Sequence, residues 1–224
     1  MSVKVIVSYD GTANEDDAIA LGRIFSHAGA EVALAYVRHS EEAAESEAET
    51  LLERGAALFG EPSVARHVVT DRSTPEGLGA LAQREGAQLI VFCSDSHTAK
   101  GHIAVGNSAE RLMEGGRVAV AVAPAGLAGQ ADAGVCQVVA VGDRDGGAQV
   151  TAQSLAGALG ATVGPVVNDD SDLIVVDSRA EAEEGRISIT SSASHLIEIA
   201  TCSVLVLPRG VELTFGRAPA ASAA

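Results

Sequence analysis

The chain alternates between short apolar runs and longer segments whose apolar positions fall on one helical face. Short runs of Val, Ile, Leu and Ala that end in glycine, proline or polar residues are typical of strands buried on both faces of a parallel sheet. The segments between them are long enough for the helical crossovers that parallel strands need. The pattern therefore predicts a doubly wound α/β fold with right-handed crossovers.

The first part of the pattern predicts strands at 3–9, 31–37, 64–70, 88–93 and 118–123, and helices at 14–28, 42–59, 75–86 and 107–115. The second part predicts strands at 137–141, 161–167, 172–177 and 203–207, and helices at 147–160 and 191–199. The helix at 75–86 carries a start signal, because Ser73 or Thr74 stands just before Pro75.

The chain contains an internal duplication. The segment GNSAERLMEGGRVAVAVAPAG (106–126) aligns without a gap with TSSASHLIEIATCSVLVLPRG (190–210). Two earlier pairs of segments align in the same order: AQLIVFCS (87–94) with SDLIVVDS (171–178), and KVIVSYD (4–10) with QVVAVGD (137–143). Self-similarity of this length indicates two copies of one structural unit.

The second copy lacks a helix–strand–helix block that occupies roughly residues 38 to 86 of the first. Such a loss is tolerable if the missing strand lies at the edge of its sheet, since the other strands stay paired. We therefore expect four segments: a complete domain over 1–124, a flexible linker over 125–135, a shortened domain over 136–211 and a disordered tail over 212–224.

Composition narrows the function classes. The formal net charge is −15, which works against binding to nucleic acid or to anionic membranes. No apolar run reaches membrane-spanning length, and the N-terminus leads directly into a strand, so we expect a cytoplasmic protein. The three cysteines, Cys93, Cys136 and Cys202, are widely spaced beside or within apolar runs, which favours buried free thiols over disulfides.

One loop is a candidate ligand site. In SDSHTAKGHIAVGNSAERLM (94–113), Gly106, Asn107 and Ser108 come just before a predicted helix. Free backbone amides and the helix dipole at such a position can hold phosphate. A second interpretation needs no ligand, because Asn107 and Glu110 have the spacing of a capping box. The residues alone leave both open.

At these residues the chain resembles the universal stress protein family in its tandem form. The resemblance rests on Asp10 after the first strand, on the loop 93–108 and on the final helix and strand, AERLMEGGRVAVAVAPAG. The family's loop pattern is glycine, two residues, glycine, nine residues, glycine, then Ser or Thr, and members that match it fully tend to bind ATP. Gly106 matches the last glycine and is followed by Asn107 and then Ser108.

The two earlier glycines of the family pattern are absent. Their positions fall on Cys93 and Ser96, or, with a one-residue shift, the first falls on Ser94. Side chains there hinder close backbone approach to a ligand and disfavour positive φ. In the second copy Thr190 replaces the last glycine, so we expect that half to bind no ligand.

The resemblance implies a binding role for several residues. Asp10 would lie at the nucleoside end of an adenine nucleotide, and the backbone of Val37 would face the adenine. The residues from Cys93 to Ser108 would surround the phosphates of ATP, bound as Mg-ATP, or of a related nucleotide, without efficient turnover.

Other chemistry is not supported by the residue spacing. Asp95, His97 and His102 lack the spacing of a metal site, and no G-x-S-x-G elbow accompanies the serines. We therefore expect no catalytic residues and no bound metal.

The resemblance also implies an internal pseudo-dimer, in which the last strands, 118–123 and 203–207, meet. It implies a regulatory protein of the stress response that acts on a protein partner, which the sequence does not identify, and it leaves open whether the chain forms a further homodimer. The alternative is an interaction scaffold of the same family that binds no nucleotide. Substitution of Gly106 by alanine separates the two, since only a phosphate site would lose binding.

Overall fold

The computed structural model describes residues 2–12, 14–40, 45–130, 134–143 and 146–216. The strands of this part of the chain all belong to one nine-stranded sheet, in the order β3-β2-β1-β4-β5-β9-β8-β6-β7. Neighbouring strands are parallel except for β5 and β9, which are antiparallel.

The strands of the first half are β1 Lys4–Ser8, β2 Glu31–Arg38, β3 Ala65–Thr70, β4 Leu89–Cys93 and β5 Ala119–Ala123, and its helices are α1 Glu15–His27, α2 Glu45–Phe59, α3 Thr74–Glu85 and α4 Asn107–Met113. The strands of the second half are β6 Gln137–Val141, β7 Thr162–Gly164, β8 Leu173–Val176 and β9 Ser203–Val206, and its helices are α5 Gly147–Leu159 and α6 Ser191–Ile199. A short 3-10 helix, Leu127–Gln130, follows β5.

The prediction of a doubly wound α/β fold is confirmed, and so is the contact between the last strands of the two halves. Val120 lies opposite Val206, Ala121 opposite Leu205 and Val122 opposite Val204. In the alignment of the two copies, Ala121 and Leu205 are equivalent to each other. The pairing is therefore reciprocal, and a pseudo-two-fold axis passes through the Ala121–Leu205 pair.

In the part of the chain that the structure describes, the second half contributes one strand fewer to the sheet than the first half. Among the described residues, β7 forms the outer edge in the position that β2 occupies in the first half, where β3 lies outside it. The missing strand is thus the outermost one, as the sequence predicts. The observed β7 is shorter than the predicted strand at 161–167, because Pro165 follows it and proline has no N–H for the ladder.

Alternating side chains of the strands build a core on each face of the sheet. In β1, Val5 and Val7 pack on the face covered by α1, α2 and α5, whereas Ile6 packs on the face covered by α3, α4 and α6. The start of α3 is as predicted, with Ser73 as the N-cap and Pro75 in the first turn.

The expectation of a disordered tail over 212–224 is wrong for its first residues. Leu213 and Phe215 are buried, and the Phe215 ring stacks on Phe25 with 5.8 Å between the ring centroids. Ser154 and the backbone of Phe215 exchange two hydrogen bonds of 2.7 and 3.1 Å. Single apolar residues among polar ones give no periodic signal, so only the packing reveals this anchor. Residues 217–224 lie outside the described residues.

The predicted flexible linker, 125–135, is held at its start. The backbone amides of Gly126 and Ala128 donate hydrogen bonds of 2.8 and 2.7 Å to the two carboxylate oxygens of Asp17 in α1. Asp17 is buried, so this contact ties the beginning of the segment to the first half. Residues 131–133 of the predicted linker lie outside the described residues.

Candidate functional site

A cavity of about 230 Å³ lies at the carboxyl ends of β1 and β4, and we call it the β1–β4 cavity. Because α1 and α4 leave these adjacent strands toward opposite faces of the sheet, this is the crevice where open α/β sheets bind ligands. Its lining includes all the predicted site residues except one: Asp10, Cys93, Ser94, Ser96, Gly106, Asn107 and Ser108.

The exception is Val37. Its side chain is buried in the core on the α3 face, and it does not line the β1–β4 cavity. The structure adds Thr12, Glu15 and Thr74 to the lining. Glu15 had one available signal in the sequence, since it is an acidic residue close behind a strand end, at the start of a helix.

Glu15 is a buried carboxyl group that folds back onto the loop after β1. Its Oε2 accepts hydrogen bonds from the backbone amides of Asp10 and Gly11, the latter at 2.8 Å. Burial, together with the neighbouring Asp10 carboxyl group, raises the pKa of Glu15 to about 9. Glu15 is therefore protonated at neutral pH and adds no negative charge to the cavity wall.

Cys93 ends β4 beside this carboxyl group. Burial, followed by the nearby Glu15 and Asp10, raises the pKa of Cys93 to about 12. A thiol with so high a pKa holds almost no thiolate at neutral pH, so Cys93 is a poor nucleophile and a poor redox sensor. All three cysteines are free, but Cys136 is exposed, contrary to the expectation of three buried thiols.

Ser94 is buried, and its hydroxyl group holds the start of the loop after β4 against the end of β5. The Oγ donates a 2.7 Å hydrogen bond to the carbonyl oxygen of Ala123. In the second half, Ser178 Oγ donates a 2.7 Å hydrogen bond to the carbonyl oxygen of Leu207, and both residues are the sequence equivalents of the first pair. Because the half without the glycine of the loop has the same bond, this bond does not depend on a ligand.

The rest of the loop also recurs in both halves. Gly101 donates its amide to Ala125 O at 2.7 Å, and its equivalent Gly185 donates to Arg209 O at 2.9 Å. Both glycines have positive φ, 78° and 72°, which a residue with a Cβ rarely adopts. The loop thus holds its shape through its own hydrogen bonds, without the two glycines missing from the family pattern.

The backbone conformation at position 106 does not require glycine. It is the N-cap of α4, with φ −72° and ψ 158°, and its equivalent Thr190 has φ −76° and ψ 159° as the N-cap of α6. A Cβ added at Gly106 would meet no heavy atom within 4 Å. The absence of a side chain at Gly106 therefore leaves open space at the start of α4, where the β1–β4 cavity lies.

The two helix starts differ in their capping. Thr190 Oγ1 accepts a 3.2 Å hydrogen bond from the amide of Ala193, whereas none of the side chains that the structure describes caps the start of α4. The capping-box interpretation of Asn107 and Glu110 is therefore wrong, because Asn107 is the first residue of the helix rather than its cap. The first amides of α4 remain without a side-chain acceptor.

Asn107 and Ser108 also line a second, wider space of about 570 Å³, which we call the arginine groove. The exposed side chains of Arg72 and Arg111 contribute to its wall, together with acidic groups on α4 such as Glu110. The β1–β4 cavity and the arginine groove meet at the start of α4, so a ligand can extend from Asp10 to the arginines.

Asp95 and His97 form a local turn contact. The amide of His97 donates a 3.1 Å hydrogen bond to Asp95 Oδ1, which lowers the pKa of this exposed carboxyl group. Within the described ranges, no cluster of three or more His, Cys, Asp and Glu side chains has the arrangement of a metal site. In the same part of the chain, none of the helices combines the length and apolar character needed to cross a bilayer.

Solved structures with the same architecture span almost the whole chain. A protein of unknown function from Pseudomonas aeruginosa PAO1 has a TM-score of 0.65 at 15% identity, covering 92% of each chain. A candidate universal stress protein from Pseudomonas aeruginosa UCBPP-PA14 has a TM-score of 0.63 at 17% identity, again covering 92% of each chain. A universal stress protein from Archaeoglobus fulgidus DSM 4304 has a TM-score of 0.56 at 14% identity, covering 92% of this chain and 98% of that one.

The sequence matches no family model and no curated protein. Each of the three matches covers 92% of this chain, so they span both of its halves. Over nearly its whole length, this chain has the fold of the universal stress proteins.

Proposed function

We propose that the protein is a regulator of the universal stress protein type whose first half binds an adenine nucleotide, such as ATP, without efficient turnover. The observation that carries the proposal is the β1–β4 cavity, which lies at the switch point of the sheet and opens onto the uncapped start of α4 beside Gly106.

The geometry suggests an orientation for the nucleotide. The β1–β4 cavity alone is smaller than the roughly 300 to 1,000 Å³ of most ligand pockets, so the nucleotide would also use the arginine groove. The ribose hydroxyls would donate to Asp10, and the phosphates would accept from the amides of Asn107 and Ser108. Arg72 and Arg111 would then compensate the phosphate charge.

The protonation of Glu15 and Cys93 in the cavity wall supports binding without turnover. Glu15 and Cys93 both carry a proton at neutral pH, so neither is a ready base or nucleophile. Magnesium would arrive with the nucleotide. The proposal places the protein in the cytoplasm and assigns its output to a protein partner that senses the bound state.

A second candidate function is an interaction scaffold that binds no nucleotide. One observation favours it: the hydrogen bonds of the loop after β4 recur in the second half, where Thr190 closes the equivalent helix start. The loop therefore needs no ligand to keep its shape.

The deciding experiment is mass spectrometry of nucleotide released from freshly purified protein, followed by calorimetric titration with ATP and magnesium. Gly106→Ala should weaken ATP binding by about tenfold or more with only a small loss of stability, because the added methyl enters the space of the ligand. Gly129→Ala is the matched control, since Gly129 is exposed and also has open space around its Cβ position. No released nucleotide and no heat at millimolar ATP would rule out the nucleotide proposal and leave the scaffold.

A further inference from the structure

A separate cavity of about 490 Å³ lies between α4 and α6, and we call it the axial cavity. It shares no lining residue with the β1–β4 cavity. Its wall contains residues that the duplication makes equivalent, Met113 with Ile197 and Val105 with Ile189. The cavity therefore straddles the pseudo-two-fold axis, and neither half could form it alone.

Reciprocal hydrogen bonds hold the two sides of the axial cavity together. The amide of Ile103 donates to Ala200 O at 3.3 Å, and the amide of its equivalent Ile187 donates to Gly116 O at 2.8 Å. The loop after β4 thus contacts the end of α6, and the loop after β8 contacts the residues that follow α4. The cavity is built by the same contacts that join the halves.

The floor of the axial cavity is apolar. Met113 and Ile197 are 7% and 3% exposed, and Ile103 is 4% exposed. A volume of about 490 Å³ falls within the range of roughly 300 to 1,000 Å³ that small-molecule sites occupy. An apolar ligand body would be removed from water there, which is favourable.

The rim of the axial cavity is acidic. Glu110, Glu114 and Glu198 contribute exposed carboxylates, and none of the lining residues is lysine or arginine. Glu198 has one exposed contact with a basic group, 3.7 Å from His195 Nδ1. Glu110 corresponds to Ser194 in the second half, so the negative charge is greater on the α4 side. With a chain charge of −15, this rim attracts cations and repels anions.

We propose that the axial cavity binds a small amphiphilic amine, with its apolar body on the floor and its ammonium group at the glutamates of the rim. The axial cavity shares no lining residue with the β1–β4 cavity but shares Glu110 and Glu114 with the arginine groove, so the test is made on nucleotide-free protein. The apolar floor and the acidic rim together select this class, because a neutral apolar molecule gains nothing from the rim and an anionic one is repelled by it.

The test uses two fluorescent probes of opposite charge on the full chain. Dansylcadaverine carries an apolar ring system and an ammonium group, and anilinonaphthalene sulfonate carries an apolar ring system and a sulfonate. We expect saturable binding of dansylcadaverine, and binding at least about tenfold weaker for the sulfonate. The double variant Glu114→Gln/Glu198→Gln should weaken dansylcadaverine binding roughly tenfold, the effect of two exposed ion pairs.

Two controls keep the test decisive. Glu47→Gln/Glu49→Gln removes the same charge from the exposed side of α2 and should leave probe binding unchanged. Ser194→Phe keeps all three glutamates but fills the cavity, so it should abolish binding, whereas Ser192→Phe on the exposed side of α6 should not.

Three results would overturn the proposal: equal binding of the two probes, binding unaffected by Ser194→Phe, or no dansylcadaverine binding at millimolar concentration. Capture of a basic amphipathic peptide without any binding of dansylcadaverine would also overturn it, in favour of a docking surface for a protein segment. Loss of nucleotide binding in Gly106→Ala would not bear on this site.

Discussion

At the scale of single residues, each half places a carboxyl group near the carboxyl edge of its strands. Asp177 is the sequence equivalent of Cys93 and accepts a 2.7 Å hydrogen bond from the amide of Ala148 at the start of α5. A Cβ at Gly142 or Gly146 would come within 2.6 or 2.3 Å of Asp177 Oδ2. Gly142 and Gly146 therefore leave space for the Asp177 side chain. This carboxyl group lies at the edge of the second half that corresponds to the β1–β4 cavity of the first half.

The raised pKa of Glu15 makes the stability of the fold depend on pH. A carboxyl group that holds its proton more tightly in the folded state stabilises the fold less as the pH rises from about 4.5 to about 9. Glu15→Gln keeps the amide acceptor and removes the ionisation. We expect a gain of about 3 kcal/mol in unfolding free energy at pH 7 and almost none at pH 4.

Urea denaturation at pH 4, 7 and 9 measures the effect of Glu15→Gln. Between pH 4 and pH 9, the unfolding free energy of the variant should fall much less than that of the wild type. An unchanged decline would mean that another group is responsible.

Asp177 has a smaller effect in a lower pH range. Burial raises the pKa of Asp177 to about 6, so its contribution to stability falls as the pH rises from about 3.8 to about 6 and is constant above that. Asp177→Asn keeps the acceptor for Ala148 and should raise the melting temperature at pH 7 but not at pH 3.5. Because Asp177 is only partly buried, we expect a smaller gain than for Glu15→Gln. A lower melting temperature at pH 7 would show that the charge on Asp177 is needed at the start of α5.

At the scale of elements, α4 and α6 are the same helix with different starts. Gly106→Thr should install in α4 the cap that Thr190 provides in α6, because the two N-caps share one backbone conformation. Since glycine is itself an adequate N-cap, we expect stability to rise by only a few tenths of a kcal/mol. ATP binding should be lost, because the threonine side chain would take the amides and the space of the phosphates.

The reciprocal variant, Thr190→Gly, is the control for Gly106→Thr. It should cost a similarly small amount of stability and leave ATP binding unchanged, as judged by calorimetry and thermal unfolding. ATP binding that survives in Gly106→Thr would remove α4 from the nucleotide site.

The elements were largely predictable because each has a strong periodic signal. The apolar runs located the strands, and Pro75 located the start of α3. Boundaries set by non-local contacts were not predictable, as the anchored Phe215 shows. For the site, strand ends located Asp10 and Cys93, but burial decides the protonation of Glu15, and no sequence pattern records burial of an acidic residue at a helix start.

At the scale of the whole molecule, both halves share one continuous sheet, so the net charge of −15 belongs to a single folded unit. Like charges repel in the compact state more than in the extended chain, and salt screens that repulsion. We therefore expect the melting temperature to rise between 10 mM and 500 mM sodium chloride. A falling melting temperature in the same scan would mean that surface ion pairs outweigh the net repulsion.

The sequence by itself determined the α/β class, the duplication, the loss of an edge strand and the residues that gather at the β1–β4 edge. These follow from local periodicity and from the rule that parallel strands end at a common edge. Only the tertiary structure decided the reciprocal register of β5 and β9, the axial cavity and the proton on Glu15. The register and the axial cavity depend on residues that are distant in the chain and meet only once the two halves have packed, whereas the pKa of Glu15 depends on its burial within the folded first half.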